Sequence, residues 1–323
     1  MKALVTGCAG FIGSHLAESL LEDGHEVIGV DALLDNYSSA VKLRNLTRAR
    51  QFDAFRFLSL DVSRAELGPL AGECHVVFHL AAEPGVRSSW GARFESYERN
   101  NVLATQRLLE ALKPWPDKRL VYASSSSVYG DAERLPTPED TVPKPFSPYG
   151  VTKLAGEHLC ALYHGNDGLA TVALRYFSVY GPRQRPDMAF NRFCRAALRG
   201  DSLTVFGDGE QTRDFTFVGD VVAATRAAAI SPAAPGRVYN IGGGSAVSVN
   251  DVLGLLTSLT GRRLDVRYVD TEPGDVRNTG AETARARREL GFRAATSFED
   301  GLWAELQWMQ EQELRHVRRA ATG

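Results

Sequence analysis

Three glycines follow the first apolar segment of the chain at a regular spacing, which by itself could also form an ordinary strand-to-helix turn. Lys2–Thr6 is predicted to be a β-strand, and Gly7, Gly10 and Gly13 then follow as G-x-x-G-x-x-G at the start of an amphipathic segment. The first glycine permits a tight turn, the second lets the backbone approach a pyrophosphate, and the third lets helix and strand pack closely. The pattern predicts a strand–turn–helix unit that binds a dinucleotide at the helix N terminus.

The rest of the first half alternates short β-rich segments with amphipathic helical segments, which is typical of a parallel sheet covered on both faces. We predict an α/β fold with a Rossmann doubly wound sheet. Residues 1–177 form the cofactor-binding domain, with a return strand at 237–241, and residues 178–323 form a smaller, interleaved substrate lobe. The predicted strands are Lys2–Thr6, Glu26–Asp31, Phe55–Leu60, Val76–Leu80, Arg119–Ala123 and Thr171–Tyr176, and the predicted helices are Phe11–Asp23, Asn100–Leu112 and Pro148–His164.

Charge and composition exclude several classes of partner. The formal net charge is -2 and no long Lys/Arg run occurs, which argues against binding of nucleic acid or anionic membranes. No apolar run reaches the roughly 20 residues of a membrane span, and Met1–Val5 leads straight into the glycine motif without a secretory leader. The four cysteines show no CxxC spacing, which suits a reducing compartment. We expect a cytoplasmic protein without a metal site.

Asp31 ends the predicted strand that follows the glycine motif. A carboxylate there accepts hydrogen bonds from ribose hydroxyls and repels a 2′-phosphate, which favours NAD over NADP. The alternative role of Asp31 is to cap a loop, and turn or cap roles are equally open for Asp61 and Asn100. The predicted contacts with NAD are Gly7, Gly10, Phe11, Ile12, Gly13, Asp31, Asn36, Asp61, Val62, Leu80, Ala81, Ala82, Asn100, Ser124, Tyr149, Lys153 and Tyr176.

A Tyr-x-x-x-Lys pattern lies on a predicted helix that begins at Ser147-Pro148. The spacing of four places Tyr149 and Lys153 on one helix face. A nearby ammonium and the positive charge of a nicotinamide favour the phenolate, which makes Tyr149 a candidate general base. Upstream, the strand Arg119–Ala123 ends in the hydroxyl-rich segment Ser124–Gly130, at the edge where such sheets bind ligands.

These motifs together resemble the NAD-dependent epimerase/dehydratase branch of the extended short-chain dehydrogenases. The resemblance rests on Thr6–Gly13, Ser124–Gly130, Ser147–Lys153 and Arg175–Pro182, and it extends over nearly the whole chain. It implies tightly retained NAD, a lobe for a nucleotide sugar, a homodimer, and the catalytic triad Ser125, Tyr149 and Lys153. It also implies oxidation of the sugar at C4 as the first chemical step.

The residues before Val128-Tyr129-Gly130 distinguish the activities within this branch. Dehydratases carry Asp-Glu there, and UDP-glucuronate decarboxylases carry a glutamate at the position of Ser127. This chain has Ser126-Ser127, without an additional acid or base. The 4-keto sugar would therefore be reduced again from its opposite face, so we expect a 4-epimerase.

Anions in a nearly neutral protein require specific arginines, and the candidates are Arg87, Arg183, Arg185, Arg213 and Arg277. Arg213 matches the diphosphate-binding arginine of the epimerases, and Asp275 lies where a ribose-contacting aspartate is expected. Thr204, Val205 and Phe206 match the segment that holds uracil. The resemblance therefore implies a UDP-sugar.

The segment Gly181–Phe190, like Gly85–Ser88, resembles UDP-glucuronate 4-epimerases. Ser125, Ser126, Ser127 and Ser178, with Arg185, provide hydrogen-bond donors for a sugar carboxylate. In the alternative, these serines shape a polar pocket for a neutral hexose. Ser178 in place of the usual threonine, and Glu83-Pro84 in place of Gln-Ala, depart from the pattern, and Thr279 leaves space for a larger C2 group.

We therefore predict interconversion of UDP-glucuronate and UDP-galacturonate, with a UDP-glucose or UDP-N-acetylglucosamine 4-epimerase as the alternative. From other classes, a non-catalytic NAD-binding sensor and a net reductase remain open. The intact triad argues against the sensor, and Asp31 argues against the NADPH that reductases use.

Overall fold

Parallel strands form the centre of the molecule. The computed structural model describes residues 1–271 and 274–322, and only the helical backbone for residues 315–322. Seven strands form one sheet in which every neighbouring pair is parallel. In chain order the strands are β1 (Lys2–Thr6), β2 (Glu26–Asp31), β3 (Phe55–Ser59), β4 (Val76–His79), β5 (Arg119–Ser125), β6 (Ala170–Tyr176), β7 (Val179–Tyr180), β8 (Leu203–Phe206), β9 (Thr212–Asp214), β10 (Thr216–Phe217), β11 (Arg237–Ile241), β12 (Ala246–Ser248) and β13 (Val266–Val269).

The order across the large sheet is β3-β2-β1-β4-β5-β6-β11. The chain winds outward from β1 in both directions, which confirms the predicted doubly wound α/β fold. The carboxyl ends of β1 and β4 lie side by side at the point where the winding reverses. Ligands of such sheets bind at this crevice.

Helices cover both faces of the sheet. One apolar cluster joins the sheet to α1, α8 and α10, and a second joins its other face to α3, α5 and α6. The helices are α1 (Phe11–Glu22), α2 (Ser39–Asn45), α3 (Gly68–Glu73), α4 (Phe94–Tyr97), α5 (Ala104–Leu112), α6 (Pro148–Asp167), α7 (Ala189–Arg199), α8 (Val218–Ile230), α9 (Val249–Thr260), α10 (Ala284–Leu290) and α11 (Phe298–Thr322). Within the described ranges, no helix is both long and apolar enough to span a membrane.

The predicted helix Asn100–Leu112 begins earlier than expected. A π-helical stretch, Glu98–Leu103, joins α4 to α5, so the helical segment runs from Phe94 without a break. Asn100 therefore lies inside the helix, and the prediction that it opens one was wrong. Asparagine is a favoured N-cap residue, but here the helix extends further toward the N terminus through Tyr97 to Phe94.

Residues after β6 build a third apolar cluster. The rings of Phe190 and Phe215 lie 4.5 Å apart between centroids, and Tyr180 and Phe298 complete this aromatic group. The chain leaves the large sheet after β6 and re-enters it at β11, which pairs with β6 in parallel from Arg237 opposite Val172 to Ile241 opposite Tyr176. Tyr180, Phe190 and Phe215 thus lie between β6 and β11, and Phe298 joins them from α11 after the chain has returned to the sheet.

Candidate active site

The glycine turn between β1 and α1 is closely packed. Gly7 has φ +72°, and a Cβ there would lie 2.7 Å from the Ala81 nitrogen. A Cβ on Gly13 would lie 2.1 Å from the Gly7 carbonyl oxygen. No side chain caps α1 at Gly10, so its first amides remain available to an anion.

The side chains that follow Gly10 are turned toward protein. Phe11 is buried in the main core cluster, and Ile12 packs against it partly buried. The first turn of α1 contains no acidic side chain that would repel a phosphate. Backbone amides are therefore what this turn offers a ligand.

Asp31 lies beside the glycine turn at the end of β2. Its Oδ2 accepts a hydrogen bond from the Ala9 amide at 3.1 Å, and its Oδ1 accepts one from the Leu33 amide at 2.8 Å. The loop-capping role is therefore present. Each carboxylate oxygen retains a second lone pair for a ribose hydroxyl.

Asn36 lies in the loop after β2. Its Oδ1 accepts a hydrogen bond from Lys42 Nζ at 2.7 Å, and the same ammonium donates to the Leu34 carbonyl at 2.5 Å. Burial lowers the pKa of Lys42, partly countered by Asp31. Lys42 thus fixes the shape of the loop that carries Asn36.

Leu80, Ala81 and Ala82 follow β4 and pass against the glycine turn. The Ala81 amide donates to Thr6 Oγ1 at 3.2 Å, and Thr6 Oγ1 lies 2.8 Å from His79 Nδ1. Burial, with a smaller contribution from Lys153, lowers the pKa of His79 to about 3. A neutral imidazole thus supports the turn.

Asp61 and Asn100 make local contacts. Asp61 Oδ1 accepts from the amide and hydroxyl of Ser63 at 2.9 and 2.7 Å, which is a turn-capping geometry. Asn100 Nδ2 donates to the Ser96 carbonyl at 2.9 Å. Val62, beside Asp61, is buried.

Asn101 is a site residue that sequence reasoning missed. Its side chain exchanges two hydrogen bonds with the backbone of Glu83, at 2.7 and 3.0 Å, and Nδ2 also lies 2.9 Å from Thr152 Oγ1. It therefore links the loop after β4 to the helix of Tyr149. The π-helical turn directs it inward, and π-turns are frequent at functional sites.

The helix α6 begins as its sequence predicts. Ser147 Oγ accepts from the Gly150 amide at 3.1 Å, and Pro148 occupies the first turn. Lys153 is buried, and its Nζ donates to the Ala123 carbonyl at 2.8 Å. Burial lowers the pKa of Lys153 to about 8.

Tyr149 lies one helical turn before Lys153. Burial raises the pKa of its phenol, while a hydrogen bond with Ser125 and the charge of Arg185 lower it by less. The protein alone therefore does not produce the lowered pKa expected from Lys153. That expectation also invoked the positive charge of a nicotinamide, which belongs to the cofactor rather than to the chain.

The hydroxyls after β5 divide into two groups. Ser125 Oγ donates to Ser127 Oγ at 3.1 Å and accepts from the Ser127 amide at 3.2 Å. Ser124 instead donates to Glu157, which forms a buried ion pair with Arg175. The Ser124 hydroxyl is thus committed to a structural cluster.

Tyr176, another predicted NAD contact, lies in the main core cluster. Its hydroxyl is 2.7 Å from Thr225 Oγ1 on α8. Its hydroxyl thus has a protein partner, and contact with a ligand is left to its ring and backbone.

Three predicted substrate residues that are distant in the sequence lie together. Arg87 Nη2 is 2.6 Å from Asp275 Oδ2, and the Arg87 guanidinium lies 4.0 Å from the centroid of the Phe206 ring. Thr204 and Phe206 share the less buried side of β8, while Val205 points into the core. The Phe206 carbonyl accepts from Gln211 Nε2 at 2.7 Å.

Arg213 lies near this group with its charge unpaired. Its guanidinium donates to the carbonyls of Thr212, Val276 and Arg277 at 3.0, 2.6 and 2.8 Å. In the part of the chain that the structure describes, no carboxylate forms an ion pair with it. Burial lowers its pKa, and the nearby charges of Asp275 and Arg87 act in opposite directions. Such a fixed cation suits a diphosphate.

The segment after β7 carries two arginines with different partners. Arg185 forms a double hydrogen bond with Asp187, at 3.0 and 2.8 Å. Arg183 has φ +68° and contacts Glu18 Oε2 on α1 at 2.8 Å. The candidate Arg183 is therefore neutralised by Glu18, whereas Arg185 affects the pKa of Tyr149.

Ser126, Ser178 and Thr279 complete the predicted set. The carbonyls of Ser126 and Ser178 accept from the Tyr129 and Thr216 amides, at 3.0 and 3.2 Å. Thr279 Oγ1 accepts from the Asp214 amide at 3.2 Å. Arg277 pairs with Asp208 at the surface. Among the described residues, no group of three or more His, Cys, Asp or Glu side chains is arranged to hold a metal.

Comparison with known proteins decides the family. The model of the NAD dependent epimerase/dehydratase family matches residues 3–242. The chain belongs to this family. The resemblance predicted from the sequence, including dependence on NAD, is thereby confirmed.

Members of the family match this chain over almost its whole length. It is 45% identical to the uncharacterized UDP-glucose epimerase YtcB of Bacillus subtilis, over 96% of this chain and 98% of that protein. It is 36% identical to the UDP-glucuronate 4-epimerase of Thermodesulfobacterium geofontis, over 95% and 96%. The crystal structure of UDP-glucuronic acid 4-epimerase from Bacillus cereus, in complex with UDP-glucuronic acid and NAD, superposes with TM-score 0.94 at 42% identity, covering 97% of this chain and 100% of that one.

The cofactor end of this epimerase/dehydratase fits NAD. The uncapped first turn of α1 offers amides to a pyrophosphate, and Asp31 offers acceptors to ribose hydroxyls beside it. Ala81 packs so closely on Gly7 that only glycine is accommodated there. NAD would therefore be held at the β1–α1 turn and the adjoining ends of β2 and β4.

Proposed function

We propose that this chain is a 4-epimerase that interconverts UDP-glucuronate and UDP-galacturonate through a transient 4-keto sugar. The observation that carries the proposal is that the positive charge of Arg185 lowers the pKa of the Tyr149 phenol, while Ser125, which also donates to Ser127, hydrogen-bonds that phenol. A guanidinium whose charge acts on the base is a carboxylate-binding group in the region where the sugar would react. The names and similarity of the Bacillus cereus and Thermodesulfobacterium geofontis enzymes support the same substrate.

In this proposal, the triad handles the C4 hydroxyl. Tyr149 takes the hydroxyl proton and later returns one, while Ser125 hydrogen-bonds the same oxygen. Bound NAD supplies the reversible two-electron oxidation of C4. Lys153, held by the Ala123 carbonyl, fixes the position of its positive charge one turn from the phenol.

Oxidation at C4 leaves the C5 carboxylate β to a ketone, and such a group is readily lost as carbon dioxide. We propose that Arg185, with Ser126, Ser127 and Ser178, holds the carboxylate in an orientation that disfavours this loss. The lone pairs of the carboxylate would then be occupied by donors. In the structure, the Asp187 carboxylate pairs with the Arg185 guanidinium, so a sugar carboxylate would displace Asp187 to bind there.

At the nucleotide end, we propose that Arg213 binds the diphosphate and Asp275 the ribose, with uracil against Thr204, Val205 and Phe206. Arg87 supports this arrangement because it contacts both Asp275 and Phe206. In this arrangement, residues 1–177 with the strand at 237–241 bind NAD, and residues 178–323 bind most of the UDP-sugar. Residues 1–177 add Arg87, the serines after β5 and Tyr149 to the sugar site.

The test is turnover of UDP-glucuronate, UDP-glucose and UDP-N-acetylglucosamine by the purified protein, with analysis of the sugar products. Arg185→Ala should lower kcat/KM for UDP-glucuronate by about 100-fold, because a charge-assisted pair contributes a few kcal/mol, and should change kcat/KM for UDP-glucose by less than about threefold. Arg199→Ala, which removes an exposed partner of Glu313, is the matched control. Preference of the unmodified protein for a neutral hexose would instead support the UDP-glucose epimerase alternative, which the name of YtcB favours.

We also propose that the enzyme is a homodimer. Four residues lie along one face of α6; Ala155 is half-buried and the others are exposed, and two of them, Val151 and Leu162, are more than half exposed apolar side chains. Beside them lies an open apolar hollow of about 580 Å³ lined by Trp90, Phe94, Phe146 and Val151. A second copy of this chain is the proposed occupant, because a patch of this kind is uncommon on a monomer. The stripe consists of Val151, Ala155, His158 and Leu162.

A cytoplasmic location is proposed as well. Support comes from the four cysteines, Cys8, Cys74, Cys160 and Cys194, which are all buried and free. Free thiols persist where glutathione keeps proteins reduced. Fractionation of cells that produce the untagged protein would test this location.

A further inference from the structure

Glu305 is a carboxylic acid in the apolar core of the C-terminal lobe. It lies on α11 between the buried residues Leu302 and Leu306 and has no solvent-exposed surface. Its Oε2 accepts a hydrogen bond from the Gly181 amide at 2.8 Å, and its Oε1 has no hydrogen-bond partner among the described residues. A buried ionised carboxylate with an unpaired oxygen is strongly disfavoured, so the arrangement favours the protonated acid.

No basic side chain within the described ranges forms an ion pair with Glu305. The charge of Glu305 acts on the Tyr180 phenol on β7 and on the Cys194 thiol on α7, and the pKa of each is raised. Asp220 on α8 also acts on the Tyr180 phenol. The residues of β10 are not titratable, and Asp300 lies earlier on α11 itself. Burial raises the pKa of Glu305 to about 8, just above neutral pH.

Gly181 is the point where Glu305 meets the substrate segment. Its φ of +130° belongs to glycine, and a Cβ there would lie 2.8 Å from Val218 and 3.0 Å from Phe217. The next residue, Pro182, is held through its carbonyl by His15 Nε2 at 2.8 Å. The backbone at Gly181 is therefore fixed from α11 and from α1, and Arg185 follows four residues later.

We propose that Glu305 is a positioning residue whose neutral carboxyl group holds Gly181 so that the segment Gly181–Met188 presents Arg185 to the sugar carboxylate. Ionisation of Glu305 buries a charge behind Gly181, and the segment shifts to let water reach it. The inference rests on the proposed function, because Arg185 is the proposed carboxylate ligand. It adds a pH-dependent control of affinity for a uronic acid.

The experiment measures binding without turnover. In NAD-loaded protein carrying Tyr149→Phe, the Kd for UDP-glucuronate is measured at pH 7 and pH 9.5, with and without Glu305→Gln. The amide keeps an oxygen for Gly181 but does not ionise. With Glu305 present, the Kd should rise about 30-fold, because the competent fraction falls to roughly 3% for a group of pKa about 8. With glutamine, it should rise less than about threefold.

Two controls separate other titrations. Lys153 titrates over the same range, but it does so equally in both proteins, and UDP without a sugar reports on the nucleotide site alone. Glu299→Gln changes an exposed glutamate on the same helix and should behave like the parent. An equal rise in Kd with glutamate and glutamine at residue 305 would overturn the inference. Failure of the parent to bind UDP-glucuronate at pH 7, while it binds UDP-glucose, would count against the proposed function instead.

Hydrogen exchange gives a second measurement that requires neither substrate nor a substituted protein. In the unmodified holoenzyme, protection of the peptide covering residues 181–188 should fall by about tenfold or more between pH 7 and pH 9.5, after correction for intrinsic exchange. Unchanged protection would contradict the inference whether or not Glu305→Gln folds.

Discussion

At Tyr149 and Lys153, burial acts on two groups that a reaction needs in charged form. It raises the pKa of the phenol and lowers that of the ammonium to about 8. The Lys153 ammonium is buried and donates a hydrogen bond to the Ala123 carbonyl. Lys153 therefore costs stability at neutral pH in the protein alone, whereas the neutral phenol of Tyr149 does not. Bound NAD and substrate would supply the charges that favour the phenolate.

Replacing Tyr149 by phenylalanine should stop turnover while leaving NAD bound. The variant lacks the group that exchanges the C4 hydroxyl proton, so kcat should fall by about 1000-fold or more. The measurement is product formation together with the absorbance of retained NAD. Tyr268→Phe, at an exposed phenol, serves as the control. Turnover within tenfold of the unmodified enzyme would show that another group is the base.

Lys153→Met should abolish turnover and yet stabilise the NAD-free protein at pH 7. The unfolded lysine has a pKa near 10.5 and the folded one a pKa of about 8, so the unfolded chain binds more protons between these values. Folding of lysine therefore carries a penalty below pH 8 that fades as the pH rises toward 10.5. We expect methionine to gain on the order of 1–3 kcal/mol in urea unfolding at pH 7, and little at pH 10.5. A less stable variant at pH 7, or a difference that does not shrink with pH, would contradict this account.

At the scale of elements, the sequence predicted the regular strands and helices. It did not predict features that depend on contacts between residues distant in the chain. The bounds of β1 and β2, the cap of α6 and the parallel sheet follow from periodicity, glycine spacing and the Ser147-Pro148 signal. The early start of the helix through Asn100 does not follow from the sequence pattern. It depends on Asn101, whose side chain accepts a hydrogen bond from the backbone of Glu83, which is distant in the chain. Arg183 likewise resembled an anion ligand until Glu18, on α1, was found to neutralise it.

Two helical glycines should respond in opposite ways to alanine. In α1, the Cβ of Gly13→Ala would meet the Gly7 carbonyl at 2.1 Å, so the glycine turn must move, and NAD affinity should fall by about tenfold or more. In α9, Gly254→Ala meets no atom within 4 Å and should stabilise the protein by about 0.5–1 kcal/mol. Isothermal titration with NAD and urea unfolding of both variants test the pair. Normal NAD binding by Gly13→Ala would argue against the proposed pyrophosphate site.

At the scale of the whole molecule, the buried cores leave two apolar side chains on one face of α6, Val151 and Leu162, exposed. Its stripe, Val151, Ala155, His158 and Leu162, lies on the helix that carries Tyr149 and Lys153. A partner on this face would steady α6 along its length and restrict how the catalytic turn moves. Assembly and catalysis would thus share one helix.

Leu162→Glu should therefore convert a dimer into a monomer. The unmodified protein should have twice the chain mass of 35.3 kDa in light scattering, and the variant should approach a single chain because a carboxylate is costly to bury in an apolar interface. Ile230→Glu, at an exposed apolar residue on α8, is the control and should remain dimeric. A dimer that survives Leu162→Glu would place the interface elsewhere.

The return of the chain to β6 sets an order of events during synthesis. When β6 leaves the ribosome, one of its edges has no neighbour until Arg237–Ile241 has also been made. β6 is buried in the complete protein, so its unpaired edge in the incomplete chain can pair with strands of other chains. We predict that a fragment ending after residue 177 exposes an unpaired edge of β6 and aggregates, so fusions or truncations should leave the chain whole through β11.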